Sequence, residues 1–168
     1  MAGKLVQVAT ETVTSPVASV TLTGIDSDDV YMVTYNNVSA SADSEHWFRV
    51  TKSGTADTTA NYDYADKILN AVAFSNRSVT NDTKTHLENT SIIANNERSN
   101  GIIYLYNFNS SSEYSFYTYE QSCTNISSQL SAPTGGGVHT VASASDGVQF
   151  TLHLNNITSG TYTLYKVL

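Results

Sequence analysis

Short segments in which apolar and polar residues alternate recur along this chain, and they constrain its fold more than any other feature. The clearest segment covers residues 148–154 and reads VQFTLHL. Its two alternating sets are Val148, Phe150, Leu152 and Leu154 on one side and Gln149, Thr151 and His153 on the other. A period of two residues is the geometry of a β-strand with one buried face. We therefore predict a strand here, with the first set facing a core and the second facing outward.

The same signal, rich in β-branched and aromatic residues, predicts most of the other strands. These cover residues 5–9, 17–23, 30–35, 47–51, 102–108, 114–119, 138–142 and 161–167. Two segments are less regular: 66–74 fits either a strand or a short helix, and 83–94 is predicted to hold a strand around 87–93. Turn residues predict one hairpin between the strands at 102–108 and 114–119, and a second between those at 148–154 and 161–167. Residues 133–137, PTGGG, are predicted to form a loop.

Nine or ten short strands at this spacing predict an all-β chain folded as an antiparallel β-sandwich, with a jelly roll as the leading topology. The chain has 168 residues, a length that is usual for one domain. Because no change of composition marks a boundary, residues 1–168 are predicted to form a single domain.

Low charge narrows the range of partners. Only 14% of the residues are charged, the chain has eight Lys and Arg, and the net charge is -7. Binding to nucleic-acid phosphates depends on clustered Lys and Arg, so we expect no nucleic-acid partner. No apolar segment is long enough to resemble a membrane span, so we expect no membrane partner.

Residues that could carry chemistry are scattered. The four histidines, His46, His86, His139 and His153, lack metal-ligand spacing, and we expect them at the surface or its rim. Cys123 has no basic neighbour in sequence and is predicted to be a buried, unreactive thiol. We therefore predict no catalytic residue, no cofactor and no enzyme activity. A carbohydrate-active enzyme remains an alternative, because its paired carboxylates have no fixed spacing in sequence.

Three acidic residues, Asp26, Asp28 and Asp29, fall in one predicted turn. Aspartates in turns usually accept hydrogen bonds from their own backbone, and we predict no metal site. The alternative is a calcium ion held by these carboxylates and by loop carbonyls.

Tyrosine is the one enriched residue type with a functional meaning. The chain has eleven tyrosines, and Tyr104, Tyr106, Tyr117 and Tyr119 are the candidate interface residues. The strand at 102–108 has apolar or aromatic residues on both faces, so we expect both faces to be covered. Three interpretations follow: a core strand, a face that meets another subunit because tyrosine is frequent at interfaces, or a platform on which sugars stack.

Five stretches carry a resemblance to a known group of proteins. They are VASVTLTGIDSDDVYMVTYNNV at 17–38, RVTKSGTADTTANYDYA at 49–65, NGIIYLYNFNSSSEYSFYTYEQS at 100–122, GGGVHTVASASDGVQF at 135–150 and NNITSGTYTLYKV at 155–167. Together they resemble virion structural proteins of marine tailed phages, the cyanophage type in particular. The ending, a turn with Ser-Gly followed by a strand with Leu-Tyr, is similar as well.

This resemblance implies a β-sandwich exposed on a virion that is assembled in the host cytoplasm. The implied function is a capsid decoration or capsid-protruding protein that binds the major capsid protein and copies of itself, most simply as a trimer. The alternative is a tail-fibre or receptor-binding module that recognises a host surface glycan. The resemblance implies no enzyme activity and no catalytic residue.

Overall fold

The fold was analysed in a computed structural model, which describes residues 3–87 and 98–168. All regular elements in these two ranges are β-strands, and they contain no helix able to span a membrane. The strands are β1 (Leu5–Val13), β2 (Ser19–Thr23), β3 (Tyr31–Ala40), β4 (His46–Lys52), β5 (Thr55–Ala56), β6 (Tyr62–Asn70), β7 (Phe74–Asp82), β8 (Thr85–His86), β9 (Ser99–Tyr106), β10 (Ser115–Thr124), β11 (Leu130–His139), β12 (Gly147–Leu152) and β13 (Ile157–Val167). The predicted strand around 87–93 lies almost wholly outside the described residues.

The strands form two antiparallel sheets that pack as a sandwich, which confirms the predicted fold class. The larger sheet has eight strands in the order β1-β13-β3-β9-β10-β11-β6-β7. The smaller sheet has the order β2-β12-β4-β5, and β8 also pairs with β4. The jelly-roll topology stays a prediction.

Aromatic side chains fill the space between the two sheets. Phe48 on β4 meets Tyr117 on β10 edge to face, with ring centres 4.7 Å apart. Phe150 on β12 lies 4.9 Å from Tyr162 on β13. All four side chains are buried in one cluster that joins the sheets. Aromatic pairs at these distances add attraction to the burial of their area.

The alternation at 148–154 is confirmed over its first part. Val148, Phe150 and Leu152 are buried, and Gln149, Thr151 and His153 are more exposed. Leu154 contradicts the prediction, because it is 88% exposed. The strand ends at Leu152, and Leu154 has a φ of 61°, so the alternation of an extended backbone no longer applies to it.

The predicted hairpin between the last two strands is wrong. β12 pairs with β2 and β4 in the smaller sheet, whereas β13 pairs with β1 and β3 in the larger one. The segment between them therefore crosses the sandwich. The other predicted hairpin is confirmed, since β9 and β10 pair from Tyr106 and Phe116 onward.

The segment at 66–74 is neither one strand nor a helix. β6 ends at Asn70 and β7 begins at Phe74, and the two strands pair with each other. The backbone N–H of Val72 donates to Oδ1 of Asn70 over 3.1 Å. This side-chain bond closes the tight turn that divides the predicted element.

The glycine-rich segment is a strand, not the predicted loop. Gly135, Gly136 and Gly137 all lie in β11 between β10 and β6. A Cβ at Gly137 would collide with the hydroxyl of Tyr117 and with the carbonyl oxygen of Asp63. The glycines are required because a tyrosine side chain and neighbouring backbone occupy the space that side chains would need.

Candidate binding face

The outward face of the larger sheet displays large side chains around β9 and β10. On β10 the even positions, such as Phe116, Thr118 and Glu120, point outward while the odd positions are buried. The register sets Tyr106 opposite Phe116, Tyr104 opposite Thr118, and Ile102 opposite Glu120. Residues directly opposite each other share a face, so these six side chains lie together on the outside of the sandwich.

These side chains border a groove of about 570 Å³. Its lining is Ile102, Tyr104, Tyr106, Thr118, Tyr119, Glu120, Thr134 and Gly135. Gly136 lies opposite Thr118 in register and has no side chain that could fill the space. We call this depression the tyrosine groove.

A second groove of about 390 Å³ continues from the first. It is lined by Thr34, Asn36, Asn100, Gly101, Ile102, Glu120, Gln121 and Ser122. Ile102 and Glu120 belong to both linings, so the two grooves meet at these residues. We call the combined feature the outer channel.

An apolar patch lies near the turn that joins β6 to β7. Leu69 is opposite Phe74 in the register, and the backbone N–H of Ala71 donates to the carbonyl oxygen of Leu130. The patch consists of Leu69, Val72, Phe74 and Leu130, which are 37%, 70%, 71% and 49% exposed. We call it the tip patch. Large apolar side chains grouped on a surface commonly mark a contact site.

The structure divides the four predicted interface tyrosines into two pairs. Tyr104 is 39% exposed, and Tyr106 is partly exposed on the same face. Tyr117 and Tyr119 are buried, which corrects their assignment to a contact surface. The hydroxyl of Tyr117 pairs with that of Thr85, and the hydroxyl of Tyr119 donates to Asp66. Burial raises the pKa of both phenols.

Within the chain, only one face of the strand predicted at 102–108 is covered. Ile103 and Leu105 are fully buried, whereas Ile102 and Tyr104 are each 39% exposed. The smaller sheet covers only one face of the larger sheet, because a two-layer sandwich leaves its outer faces open.

Two of the four histidines lie in the interior, contrary to the prediction. His46 is packed among Tyr35, Phe150 and Tyr162, and burial lowers its pKa to about 3. His139 is also buried, and its Nε2 lies 2.8 Å from Oδ2 of Asp57. Desolvation lowers the pKa of His139 although the Asp57 carboxylate acts in the opposite direction.

The three residue types of a nucleophilic triad meet beside His139. Ser115 is directly opposite His139 in the register of β10 and β11, and Asp57 is hydrogen-bonded to the same ring. Both Ser115 Oγ and His139 Nδ1 are buried without a hydrogen-bond partner. Ser115 and His139 are 0% and 1% exposed, so a substrate has no route to this serine. The cluster belongs to the core.

The acidic turn binds a lysine of its own chain. Nζ of Lys166 lies 2.8 Å from Oδ2 of Asp29 and 3.7 Å from Oδ1 of Asp26. The hydroxyl of Tyr31 also donates to Asp26 over 2.8 Å. These contacts use the carboxylates that the calcium alternative would need. In residues 3–87 and 98–168 no group of three or more His, Cys, Asp or Glu could hold a metal ion. Cys123 is buried, as predicted.

The chain matches no protein-family model, no curated protein and no solved structure.

Proposed function

We propose that this chain is a non-enzymatic virion structural protein that decorates or protrudes from a phage capsid. It would bind the major capsid protein or other virion proteins, and copies of itself, with a trimer as the favoured assembly. The tip patch is the observation that supports docking on a protein. Val72 and Phe74 are each about 70% exposed there and lie beside Leu69 and Leu130.

The chemistry of the tip patch fits a protein surface better than a small polar ligand. Its four members are aliphatic or aromatic, and Nζ of Lys67 lies 5.6 Å from the ring centre of Phe74. Removal of apolar surface from water is the main favourable contribution in most protein–protein association. Docking would remove this surface from water in the assembled particle.

The test is incorporation of the chain into purified virions, measured as copy number by quantitative mass spectrometry. We expect the wild type at hundreds of copies per particle and a double variant Phe74→Asp with Leu130→Asp to be lost from particles. Leu154→Asp is the matched control, because Leu154 is 88% exposed and lies outside the patch. A wild-type chain that is absent from virions contradicts the proposal. Sedimentation of the free chain tests the trimer.

A second candidate function is an adhesion module of a tail fibre or receptor-binding protein. The outer channel favours it, because a groove of about 570 Å³ falls in the size range of ligand clefts, about 300–1,000 Å³. A copy number of about a dozen per virion would support this candidate over capsid decoration.

A further inference from the structure

We propose that the outer channel binds an extended, uncharged glycan chain, with Tyr104 and Tyr106 as the stacking platform. The inference deepens the adhesion function named above and rests on it. It involves a different surface from the tip patch, so the two can fail separately.

The lining of the channel combines two kinds of chemistry along its length. Ile102, Tyr104 and Tyr106 present apolar surface, and Thr118, Glu120, Thr134, Asn36, Asn100 and Ser122 present hydrogen-bonding groups. A sugar ring has the same two parts, an apolar face of C–H groups and a rim of hydroxyls. The centre of a protein–protein interface, in contrast, concentrates apolar residues and leaves the polar ones at the rim.

The aromatic platform is open to a ligand. Tyr104 and Ile102 are each 39% exposed, and Thr118 and Glu120 beside them are exposed. Only a distance of 3.5 Å, at the limit of a hydrogen bond, links the hydroxyl of Tyr106 to Oγ1 of Thr118. A tyrosine offers a rigid apolar ring and a polar hydroxyl with little conformational freedom to lose on binding.

The length of the channel indicates a chain and not a single sugar. It follows β9 from Asn100 to Tyr106, and the six steps between these residues extend about 20 Å at about 3.3 Å per residue. The walls are strands of one sheet, held by the pairings of β9 with β3 and with β10. A site on paired strands is already ordered before the ligand arrives, which lowers the entropy cost of binding.

Charge selects the class of glycan. Among the described residues that line the two grooves, Glu120 is the one that is charged, and the chain has a net charge of -7. A polysaccharide of uronic acids or sulfated sugars would bring like charge to a carboxylate at the centre of the channel. Like charges oppose binding unless a cation lies between them. An uncharged glycan is not repelled by the Glu120 carboxylate, and its hydroxyls can donate hydrogen bonds to that carboxylate.

The experiment is titration calorimetry of the full chain with two sets of probes. The uncharged set is cellohexaose, maltohexaose, laminarihexaose and the neutral polysaccharide fraction of the host surface; the acidic set is alginate and sulfated galactan oligomers. We expect at least one uncharged probe to bind with a dissociation constant tighter than about 1 mM and the acidic probes to bind more weakly. Tyr104→Ala and Tyr106→Ala should each weaken binding about 10-fold, the loss expected for one stacking contact.

Three controls decide the outcome. Tyr114→Ala removes a tyrosine that is 46% exposed outside the channel, and it should bind as the wild type does. Glu120→Gln should bind the uncharged probe as the wild type does, and it should bind the acidic probes more tightly. Phe74→Asp should bind glycan normally even where it is lost from virions.

Several results overturn the proposal. The first is that no uncharged probe binds. The second is that Tyr104→Ala and Tyr106→Ala leave binding unchanged. The third is that the chain prefers the acidic probes. If Tyr104→Ala is instead lost from virions while no glycan binds, the channel is a protein interface. If the wild type is absent from virions but glycan binding follows the pattern above, both virion functions fail, and only the glycan site itself is supported.

Discussion

The outer faces of the two sheets differ in how far their aromatic side chains are covered by the chain itself. On the smaller sheet, Trp47 is covered by side chains of its own chain. Nζ of Lys84 lies 4.5 Å from the centre of the indole, and the ring of His153 lies 4.7 Å from it. The indole N–H donates to Oε2 of Glu45 over 2.9 Å. A cation over the face of an aromatic ring is attracted to it, so the indole is covered by its own chain and needs no second protein.

On the larger sheet several aromatic side chains remain more open to solvent. Tyr104 and Phe116 are 39% and 46% exposed, and Phe74 is 71% exposed. This difference indicates which face of the sandwich is available to a partner. An aromatic residue that its own chain has already covered contributes to stability, whereas an uncovered one retains apolar area that a ligand or a second protein can bury.

We expect the buried tyrosines to contribute far more to the free energy of unfolding than the exposed ones. Tyr117→Ala removes a buried ring that packs edge to face on Phe48, and we expect the free energy of unfolding to fall by about 3–5 kcal/mol. Tyr104→Ala, on the opposite face of the same two strands, should change it by less than about 1 kcal/mol. Urea unfolding of both variants gives the values. Equal losses would place Tyr104 in the core and remove it from the binding face.

The stability of the protein should depend on pH, because burial favours the neutral form of three histidines. His46 and His86 lie on strands of the smaller sheet, and His139 lies on the larger one. Desolvation lowers the pKa of His46 to about 3 and also lowers the pKa of His86 and His139. A histidine whose pKa falls on folding binds more protons in the unfolded chain, so the free energy of unfolding decreases as the pH drops below about 6.5. Between about pH 6.5 and pH 5 we expect His46 alone to cost about 2 kcal/mol.

Denaturant unfolding at several pH values in that interval measures this loss. The matched variant is His46→Gln, which removes the buried titratable ring, and its stability should fall less than that of the wild type over the same interval. Stability that is constant or higher at pH 5 would contradict the buried, neutral state of His46.

The smallest expected effect concerns the cover over Trp47. Lys84→Gln removes a cation from the indole face, and we expect a loss of about 0.5–1 kcal/mol in the free energy of unfolding. The chain has one tryptophan, so its fluorescence reports this site alone, and acrylamide should quench it more strongly in the variant. Lys67→Gln, beside Phe74 on the other face, is the matched control and should leave the emission unchanged. Unaltered quenching in Lys84→Gln would show that the lysine does not cover the ring.

The sequence determined the strands of this protein and which residues share a face. Alternation is a local property, since successive side chains on an extended backbone point to opposite sides. It placed Val148, Phe150 and Leu152 on the core side and grouped Ile102 with Tyr104 and Tyr106. It also established the β9–β10 hairpin, because the two strands are joined by a short turn.

Only the tertiary structure decided which face became core where both faces were aromatic. On β10, Tyr117 and Tyr119 face inward, opposite Gly137 and Gly135 of β11, and a side chain at Gly137 would occupy the space of the Tyr117 ring. A glycine run aligned with tyrosines two residues apart was the one signal in the sequence that pointed to this pairing. It has meaning only after the register is known.

The pairing of distant strands also explains the other predictions that the structure corrected. β12 and β13 went to different sheets, and His46 became buried, because strands far apart in sequence supplied their neighbours. The outer channel likewise exists because β3, from the first quarter of the chain, lies beside the consecutive strands β9, β10 and β11. Local periodicity sets the two faces of each strand, and the pairing of distant strands sets what each face meets.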